Sequence, residues 1–274
     1  MKKFYTVTGG TGYIGNKLLE HLSKDKNNFI YAIIRENSKP KIYEDNIEYV
    51  VFDGTEESIQ NTIEVSDYLV HLAALYDTRT DEQITRNLIE SNILFSTILF
   101  NIANRVNPEI VISTASTFSA INGRGEDAPS TLYAATKQAV ETVAKYYNNI
   151  SIHFLTFPDT YGPEDWRNKI HNILKRNENW PFQFKSRSDQ KILMLHVEDV
   201  IGYILTSLQI VDKGVHIHDI YSEGELITLE TLSKRVTNKE CLFNDSAKTI
   251  EIPLQAREIS KKLNYKKKHN EFKL

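Results

Sequence analysis

The sequence has little cysteine and no long apolar run. Cys241 is the single cysteine among 274 residues, so no disulfide can form within the chain, which favours a reducing compartment. No stretch approaches 18 uninterrupted apolar residues, and we expect no transmembrane helix. Residues 1–8 are too short and too polar for the apolar core of a secretory signal. Together these absences predict a cytoplasmic protein.

An excess of charge of either sign is also missing. The 33 Lys and Arg residues against 36 Asp and Glu residues give a formal net charge of −3 at pH 7. A nucleic-acid or membrane surface favours a concentrated basic patch, so we expect neither partner. The one basic run, Lys266–Lys268, is interpreted as a solvated tail.

Segments typical of strands and helices alternate through the first 160 residues. The strand-like runs are short and mostly apolar, as in a parallel sheet that is buried on both faces: Phe4–Thr8, Phe29–Ile34, Ile47–Phe52, Tyr68–Leu72, Ile110–Ser113 and Ile152–Phe157. Helix-length segments lie between them, the longest being Glu82–Arg105 and Ser130–Asn148. This order predicts an α/β fold with a doubly wound parallel sheet of the Rossmann type.

A glycine-rich loop follows the first strand and leads into the first helix. Its sequence from Thr8 to Gly15 is TGGTGYIG. In such a loop Gly9 allows a tight turn, Gly12 lets the backbone approach a pyrophosphate, and Gly15 lets the helix pack closely on the strand. The helix N-terminus then presents free N–H groups to the phosphates. The motif predicts a dinucleotide site at these residues: Gly9, Thr11, Gly12, Tyr13, Ile14 and Gly15.

The end of the second strand favours NADP(H) over NAD(H). Many NAD sites have a carboxylate here for the adenosine ribose, whereas this strand ends in Arg35, whose guanidinium can pair with a 2′-phosphate. The next residue is Glu36, which keeps NAD(H) open as the alternative.

After residue 160 the alternation becomes irregular. Residues 162–190 are rich in polar residues and contain glycine and prolines, which predicts loops around a helix near Asn168–Lys175. We therefore expect an NAD(P)-binding Rossmann domain at residues 1–160. The remainder, residues 161–274, is predicted to form a small C-terminal α/β substrate-binding cap that is interwoven with the first domain.

Tyr133 and Lys137 lie four residues apart, on one face of the predicted helix Ser130–Asn148. A lysine ammonium beside a phenol lowers the pKa of the phenol, which suits proton exchange with a carbonyl or an alcohol. Hydroxyl side chains end the fifth strand just before this helix, at the edge of the sheet where ligands bind. We expect one of them to orient a substrate carbonyl; the candidates are Ser113, Thr114 and Ser116.

These motifs together resemble the extended, epimerase/dehydratase-like branch of the short-chain dehydrogenase/reductase superfamily. Further segments are similar to that branch in chain order: Asp53–Gly54, Val70–Ala74, a structural asparagine at Asn92, Phe157–Pro163 and His196–Val200. The resemblance spans about residues 4–210. It implies additional cofactor contacts at Asp53, Gly54, Leu72, Ala73, Ala74, Pro158 and Thr160.

The sequence departs from the pattern of the branch near the substrate. Phe157 replaces an arginine, and the segment before His196 lacks an Arg-Asp pair, for which Lys191 or Arg187 is the expected substitute. The Val-Tyr-Gly that usually follows the fifth strand is altered. Aligning Phe118 with its tyrosine puts Thr114 in the catalytic position, with Ser113 and Ser116 as alternates.

Within the branch, the sequence is similar to the nucleotide-sugar 4-keto reductases of bacterial surface polysaccharide biosynthesis, of the CDP-abequose and paratose synthase type. This resemblance implies reduction of the C4 ketone of a nucleotide-linked deoxy sugar by NADPH. Tyr133 would donate the proton, Lys137 would lower the pKa of Tyr133 and hold the nicotinamide ribose, and Thr114 would orient the carbonyl. The expected substrate contacts are Tyr76, Ser116, Asn168, Arg187 and Lys191.

Two other functions remain open. The same residues suit a nucleotide-sugar 4-epimerase with bound NAD, and a non-catalytic NADP-binding sensor or scaffold could share the fold. The resemblance also implies a homodimer formed by the two long helices, with Ile89, Ile93 and Val140 as candidate contacts. No metal site is expected.

Overall fold

Strands and helices alternate along residues 2–253 and 263–273, which the computed structural model describes. The strands are β1 (Lys3–Thr8), β2 (Asn28–Arg35), β3 (Ile47–Phe52), β4 (Tyr68–His71), β5 (Val111–Thr117), β6 (Ser151–Phe157), β7 (Asp159–Tyr161), β8 (Phe182–Gln183), β9 (Lys191–His196), β10 (Gly214–His218), β11 (Glu225–Thr228) and β12 (Cys241–Leu242). The helices are α1 (Tyr13–Leu22), α2 (Glu57–Glu64), α3 (Glu82–Leu88), α4 (Phe95–Val106), α5 (Leu132–Ala144), α6 (Ile170–Arg176), α7 (Val197–Ser207) and α8 (Leu229–Val236).

Seven parallel strands form the main sheet, in the order β10-β6-β5-β4-β1-β2-β3. The chain winds outward from β1 in one direction and then from β4 in the other, so a crevice opens at their carboxyl ends. The predicted doubly wound Rossmann-type sheet is therefore confirmed. Its outermost strand, β10, comes from the second half of the chain, so that half builds part of the main sheet.

Each face of the main sheet has its own apolar core. On one face α1 and α7 pack through residues such as Leu18 and Val200. On the other face α2, α4 and α5 pack through residues such as Phe100, Phe154 and Val140. Val140 is only 1% exposed, so this candidate dimer contact belongs to the core of the chain.

The rest of the second half forms a small cap from two short sheets, β11-β9-β7 and β12-β8, with α6 and α8. Residues 263–273 join α7 to the cap: the ring of Tyr265 packs against Tyr203 of α7, and Phe272, 1% exposed, packs in the core of the cap. The buried Asp199 carboxylate accepts hydrogen bonds from the backbone N–H groups of Lys268 and His269, at 2.7 and 3.1 Å. The expectation of a solvated tail was wrong for the backbone of this segment, because a buried carboxylate needs donors and the segment supplies them. The side chains of Lys266 and Lys268 are exposed, as expected. No helix within the described residues is long and apolar enough to cross a membrane.

Candidate active site

The glycine loop is packed tightly against the end of β4. Gly9 has a positive φ of 74°, and a Cβ there would lie 2.6 Å from the backbone nitrogen of Ala73. A Cβ on Gly15 would lie 2.2 Å from the carbonyl oxygen of Gly9. Gly12 precedes α1 and provides no side-chain cap for its first turn. The loop therefore leaves backbone N–H groups at the start of α1 available to an anion.

A cavity of about 520 Å³ opens beside this loop, and we call it the glycine-loop cavity. It includes these predicted cofactor contacts: Gly9, Thr11, Gly12, Arg35, Leu72, Ala73 and Ala74. The sequence did not point to its other lining residues: Ile33, Ile34, Ser38, Phe52, Leu75, Glu90, Ser91 and Phe95. Its size, its glycines and its apolar walls fit a dinucleotide.

The remaining predicted cofactor contacts lie outside that lining: Tyr13, Ile14, Gly15, Asp53, Gly54, Pro158 and Thr160. The Tyr13 hydroxyl donates to the carbonyl oxygen of Pro163, at 3.1 Å. The Asp53 carboxylate accepts from the backbone nitrogen and the hydroxyl of Thr55, at 2.8 and 2.7 Å. Asp53 therefore stabilises its own turn, and Tyr13 joins α1 to the loop after β7.

Tyr133 and Lys137 lie one turn apart in α5, which begins at an N-cap formed by Thr131. The ring of Tyr133 meets the ring of Tyr76 edge to face, with the centroids 4.9 Å apart. Lys137 is 4% exposed, and burial lowers its pKa to about 8, an effect that the nearby Glu141 carboxylate opposes. Its ammonium therefore carries its charge at neutral pH inside the protein.

The pKa of Tyr133 differs from the sequence-based expectation. Burial and the neighbouring Tyr76 raise it to about 12, whereas a lowering by Lys137 was predicted. Loss of a proton would leave a phenolate in a poorly solvated place, which is costly. Tyr133 is therefore a phenol at neutral pH and is ready to donate its proton.

The hydroxyls at the end of β5 point to opposite faces of the sheet. Ser113 accepts a hydrogen bond from Ser207 of α7, at 2.9 Å, on the face away from α5. The Thr114 hydroxyl donates to the carbonyl oxygen of His71, at 2.9 Å. The Ser116 hydroxyl donates to the Glu141 carboxylate. Thr114 is thus bound to the backbone of His71, and the Lys137 ammonium is near enough to add to the burial that lowers the pKa of His71 to about 3.

Asn92 ties the loop after β4 to α5. Its side chain accepts from the backbone nitrogen of Leu75 at 2.7 Å and donates to the hydroxyl of Thr136 at 2.9 Å. It lies in a π-helical turn, Ile89–Leu94, that separates α3 from α4. The single long helix predicted for Glu82–Arg105 is thus interrupted at this asparagine, a place where π-turns commonly mark functional sites.

A second cavity, of about 620 Å³, lies between the end of β5 and the cap, and we call it the cap cavity. Its walls include Phe118, Ser130, Phe182 and Phe184, with Lys191 as the one predicted substrate contact. Because Ser130 lies three residues before Tyr133, this cavity adjoins the Tyr133 end of α5.

The other predicted substrate contacts are bound to neighbouring side chains outside the cap cavity. Arg187 forms an ion pair with Asp189 at 2.7 Å, and Asn168 accepts from Arg176 at 3.2 Å. Tyr76 is 67% exposed and covers Tyr133, while Ser116 faces Glu141. Sequence reasoning missed Phe182 and Phe184, because short strands in the irregular half carry no periodic signal.

Two characterised nucleotide-sugar enzymes are similar in sequence to the chain. CDP-abequose synthase of Salmonella typhimurium strain LT2 is 25% identical over 223 residues, which cover 76% of this chain and 71% of that protein. UDP-glucuronate 4-epimerase 1 of Arabidopsis thaliana is 27% identical over 233 residues, which cover 74% of this chain. The match covers 54% of that epimerase, so the chain spans about half of its length.

The fold is shared with solved structures. UDP-glucuronic acid 4-epimerase from Bacillus cereus, in complex with UDP-glucuronic acid and NAD, has a TM-score of 0.77 and 20% sequence identity. The alignment covers 98% of this chain and 95% of that one. The sequence profile of one family matches residues 5–222, which include the main sheet, the glycine loop and α5. The chain therefore belongs to the NAD dependent epimerase/dehydratase family, whose members are enzymes that bind NAD(P).

Proposed function

We propose that the protein is an NADPH-dependent reductase of a nucleotide-linked 4-keto-deoxy sugar, with a place in the biosynthesis of a bacterial surface polysaccharide. The observation that carries this proposal is that Tyr133, at the start of α5, lies close to residues of both cavities. Tyr133 contacts Tyr76, next to the glycine-loop cavity, and follows Ser130 of the cap cavity by one turn. A cofactor in the first cavity and a substrate in the second would meet at Tyr133.

The residues around α5 have separate tasks in this reaction. When bound, NADPH would supply the hydride that the ketone carbon accepts. Tyr133, a phenol with its pKa raised to about 12, donates a proton to the developing alkoxide. Lys137 would supply a positive charge near Tyr133 and would hold the nicotinamide ribose. The Thr114 hydroxyl, which donates to the His71 carbonyl oxygen in the structure, would orient the substrate carbonyl.

The cofactor specificity rests on Arg35. Its guanidinium forms no ion pair with any described residue, and it lines the glycine-loop cavity together with Ser38. The Ser38 hydroxyl accepts from the backbone nitrogen of Arg35, at 3.2 Å, so the Ser38 side chain is held at the end of β2. A guanidinium and a hydroxyl in this place suit the 2′-phosphate of NADPH. NAD(H) is the alternative, because the acidic Glu90 lines the same cavity.

The cap cavity supplies the substrate site. Aromatic walls at Phe182 and Phe184 suit a nucleotide base, and Lys185 and Lys191 suit its phosphates. The similarity to CDP-abequose synthase supports a sugar nucleotide as the substrate. The test is NADPH oxidation with 4-keto sugars linked to CDP, dTDP, GDP or UDP. Stoichiometric loss of NADPH with one of them is the expected result, and binding without turnover of any of them would refute a reductase.

The second candidate is a 4-epimerase with bound NAD, which the similarity to UDP-glucuronate 4-epimerase 1 favours. Such an enzyme must first use Tyr133 as a base, which a raised pKa disfavours. Inversion at C4 of a nucleotide sugar, without net consumption of cofactor, would support the epimerase.

We also propose that two copies associate through the helical face beside α5. Ile89 and Leu94 are 41% and 53% exposed, and Tyr146 just after α5 is 81% exposed. These apolar side chains suit a self-complementary interface. Light scattering after gel filtration tests this, since a mass near twice 31.6 kDa is expected.

A further inference from the structure

A buried carboxylate lies one helical turn beyond Lys137 and has no part in the reaction described above. Glu141 is 6% exposed and Lys137 is 4% exposed. Residues four apart in a helix share one face, so both side chains point from α5 into the protein. A buried carboxylate is costly unless it is paired and hydrogen-bonded, so its partners explain its presence.

The contacts of Glu141 connect the lysine to β5. The hydroxyl of Ser116, itself 7% exposed, donates to a carboxylate oxygen of Glu141. The same carboxylate raises the pKa of Lys137, against the burial that lowers it. Ser116 lies two residues after Thr114, so the catalytic strand holds the carboxylate in place.

Two other titratable groups near Lys137, His71 and Tyr133, are neutral. His71 faces it from β4, and burial together with Lys137 lowers the pKa of His71 to about 3. The His71 ring is held by hydroxyls of Thr8 and Ser96, at 2.7 and 2.8 Å. Tyr133, on the same helix, is a phenol. Glu141 therefore supplies the negative charge that faces the ammonium.

We propose that Glu141 is a positioning residue whose carboxylate, held by Ser116, places a negative charge one helical turn from the buried Lys137 ammonium. Ser116 then acts through Glu141 and not on the substrate. The effect on turnover rests on the proposed function, whereas the effect on the protonation of Lys137 does not. The two parts are therefore measured separately.

The protonation of Lys137 is measured by a pH titration of the ¹³Cε signal in protein labelled with ¹³C-lysine. The signal is assigned as the one that disappears in Lys137→Arg. In the unmodified protein it is expected to titrate near pH 8. Glu141→Gln keeps the shape of the side chain but removes the charge, and the titration is expected to move down by about 1 to 3 pH units. Glu64→Gln, an exposed site on α2, is the matched control and leaves the titration in place.

Turnover is measured as a profile of kcat and KM against pH. A fall of two units leaves about a tenth of Lys137 protonated at pH 7, so kcat of Glu141→Gln falls about tenfold with little change in KM. Activity returns when the pH is lowered, which lost packing alone would not produce. Glu141→Asp, which retains the charge, is expected to titrate close to the unmodified protein.

Unchanged titration and an unchanged pH profile in Glu141→Gln would overturn the proposal. If the unmodified protein turns over no sugar nucleotide, the reductase is refuted, while the lysine titration still decides the role of Glu141. If Glu141→Gln does not fold, Ser116→Ala tests the same contact. A titration and a profile identical to those of the unmodified protein would then count against the role of Glu141.

Discussion

The rings of Tyr76 and Tyr133 meet edge to face, with their centroids 4.9 Å apart. Lys169 lies 5.9 Å from the centre of the Tyr76 ring and pairs with Asp159 at 2.5 Å. The loop after β4 and the residue before α6 are thereby connected through Tyr76 to α5. Because Tyr76 covers the phenol of Tyr133, the same contact that shapes the site also contributes to the raised pKa.

Removal of the Tyr133 hydroxyl tests its role as the proton donor. Tyr133→Phe is expected to lower kcat by about 10²- to 10⁴-fold, the usual contribution of a positioned acid. Binding of NADPH, measured by fluorescence, is expected to stay near that of the unmodified protein. Tyr146→Phe is the matched control, because that tyrosine is 81% exposed just after the same helix. Near-normal turnover by Tyr133→Phe would remove it from the mechanism.

Arg35 is expected to set the preference for the cofactor. Arg35→Ala removes the guanidinium beside Ser38, and the Kd for NADPH is expected to rise about 10- to 100-fold, as for loss of a charge-assisted hydrogen bond. The Kd for NADH should change little. The control is Lys39→Ala, an exposed cation on the same loop that does not line the cavity. An equal loss of NADH and NADPH binding would contradict a contact with the 2′-phosphate.

Two glycines of the loop are expected to respond differently to an added methyl group. Gly15→Ala would put its Cβ 2.2 Å from a backbone oxygen, so the free energy of unfolding should fall by about 1–3 kcal/mol. In Gly12→Ala the added Cβ would lie 3.3 Å from its nearest neighbour, the Gly9 carbonyl oxygen. Because Gly12 lines the glycine-loop cavity, the new methyl group would lie beside that cavity. The Gly12→Ala protein should fold nearly as stably but bind NADPH more weakly. Urea denaturation and calorimetric titration separate the two effects, and a stable Gly15→Ala protein would contradict the packing.

Buried histidines are expected to destabilise the fold in acid. The Nε2–H of His153 donates to the carbonyl oxygen of Ile210 at 2.8 Å, so its Nδ1 accepts from Nε2–H of His218 at 3.0 Å. Burial lowers the pKa of His153 to about 3 and that of His218 to about 4. The unfolded chain therefore binds more protons below pH 6.5 than the folded one.

Stability should therefore be intact above pH 6.5 and fall toward pH 4, by about 1.4 kcal/mol per pH unit for each of these histidines. Urea denaturation at several pH values measures this slope. His218→Gln is expected to make the slope shallower, and His269→Gln, at a half-exposed position, serves as the comparison. An equal slope in all three proteins would show that other groups control the acid sensitivity.

Much of the fold follows from local patterns. Buried parallel strands are short apolar runs in the sequence, so β1 to β6 and the sheet type were predictable. The glycine loop indicated the first turn from strand to helix. The π-turn at Ile89–Leu94 was not predictable, because it continues the helical periodicity with one wider turn. The short strands β7, β8 and β12 were missed since two or three residues carry no period.

Site residues whose positions depend on the backbone were predictable from the sequence. Hydrogen bonds between side chains that are distant in the sequence were not. Gly9, Gly12 and Arg35 line one cavity, as their positions in the chain imply. Ser116 was assigned to the substrate, but it faces Glu141, a partner 25 residues away that no spacing rule connects to it. A usable signal was present: Glu141 is a charged residue four positions after Lys137 on the face that α5 buries.

The position of β10 at the end of the main sheet also affects how the chain can reach its folded state. All seven residues of β6 are buried, and β10 pairs along one of its edges. During synthesis β6 emerges well before β10, so the backbone N–H and C=O groups on that edge of β6 stay unpaired until β10 is made. A fragment that stops at residue 160 would keep this open edge and tend to pair with other chains. Residues 1–160, although they include the glycine loop, are therefore expected to need β10 in order to fold without aggregating.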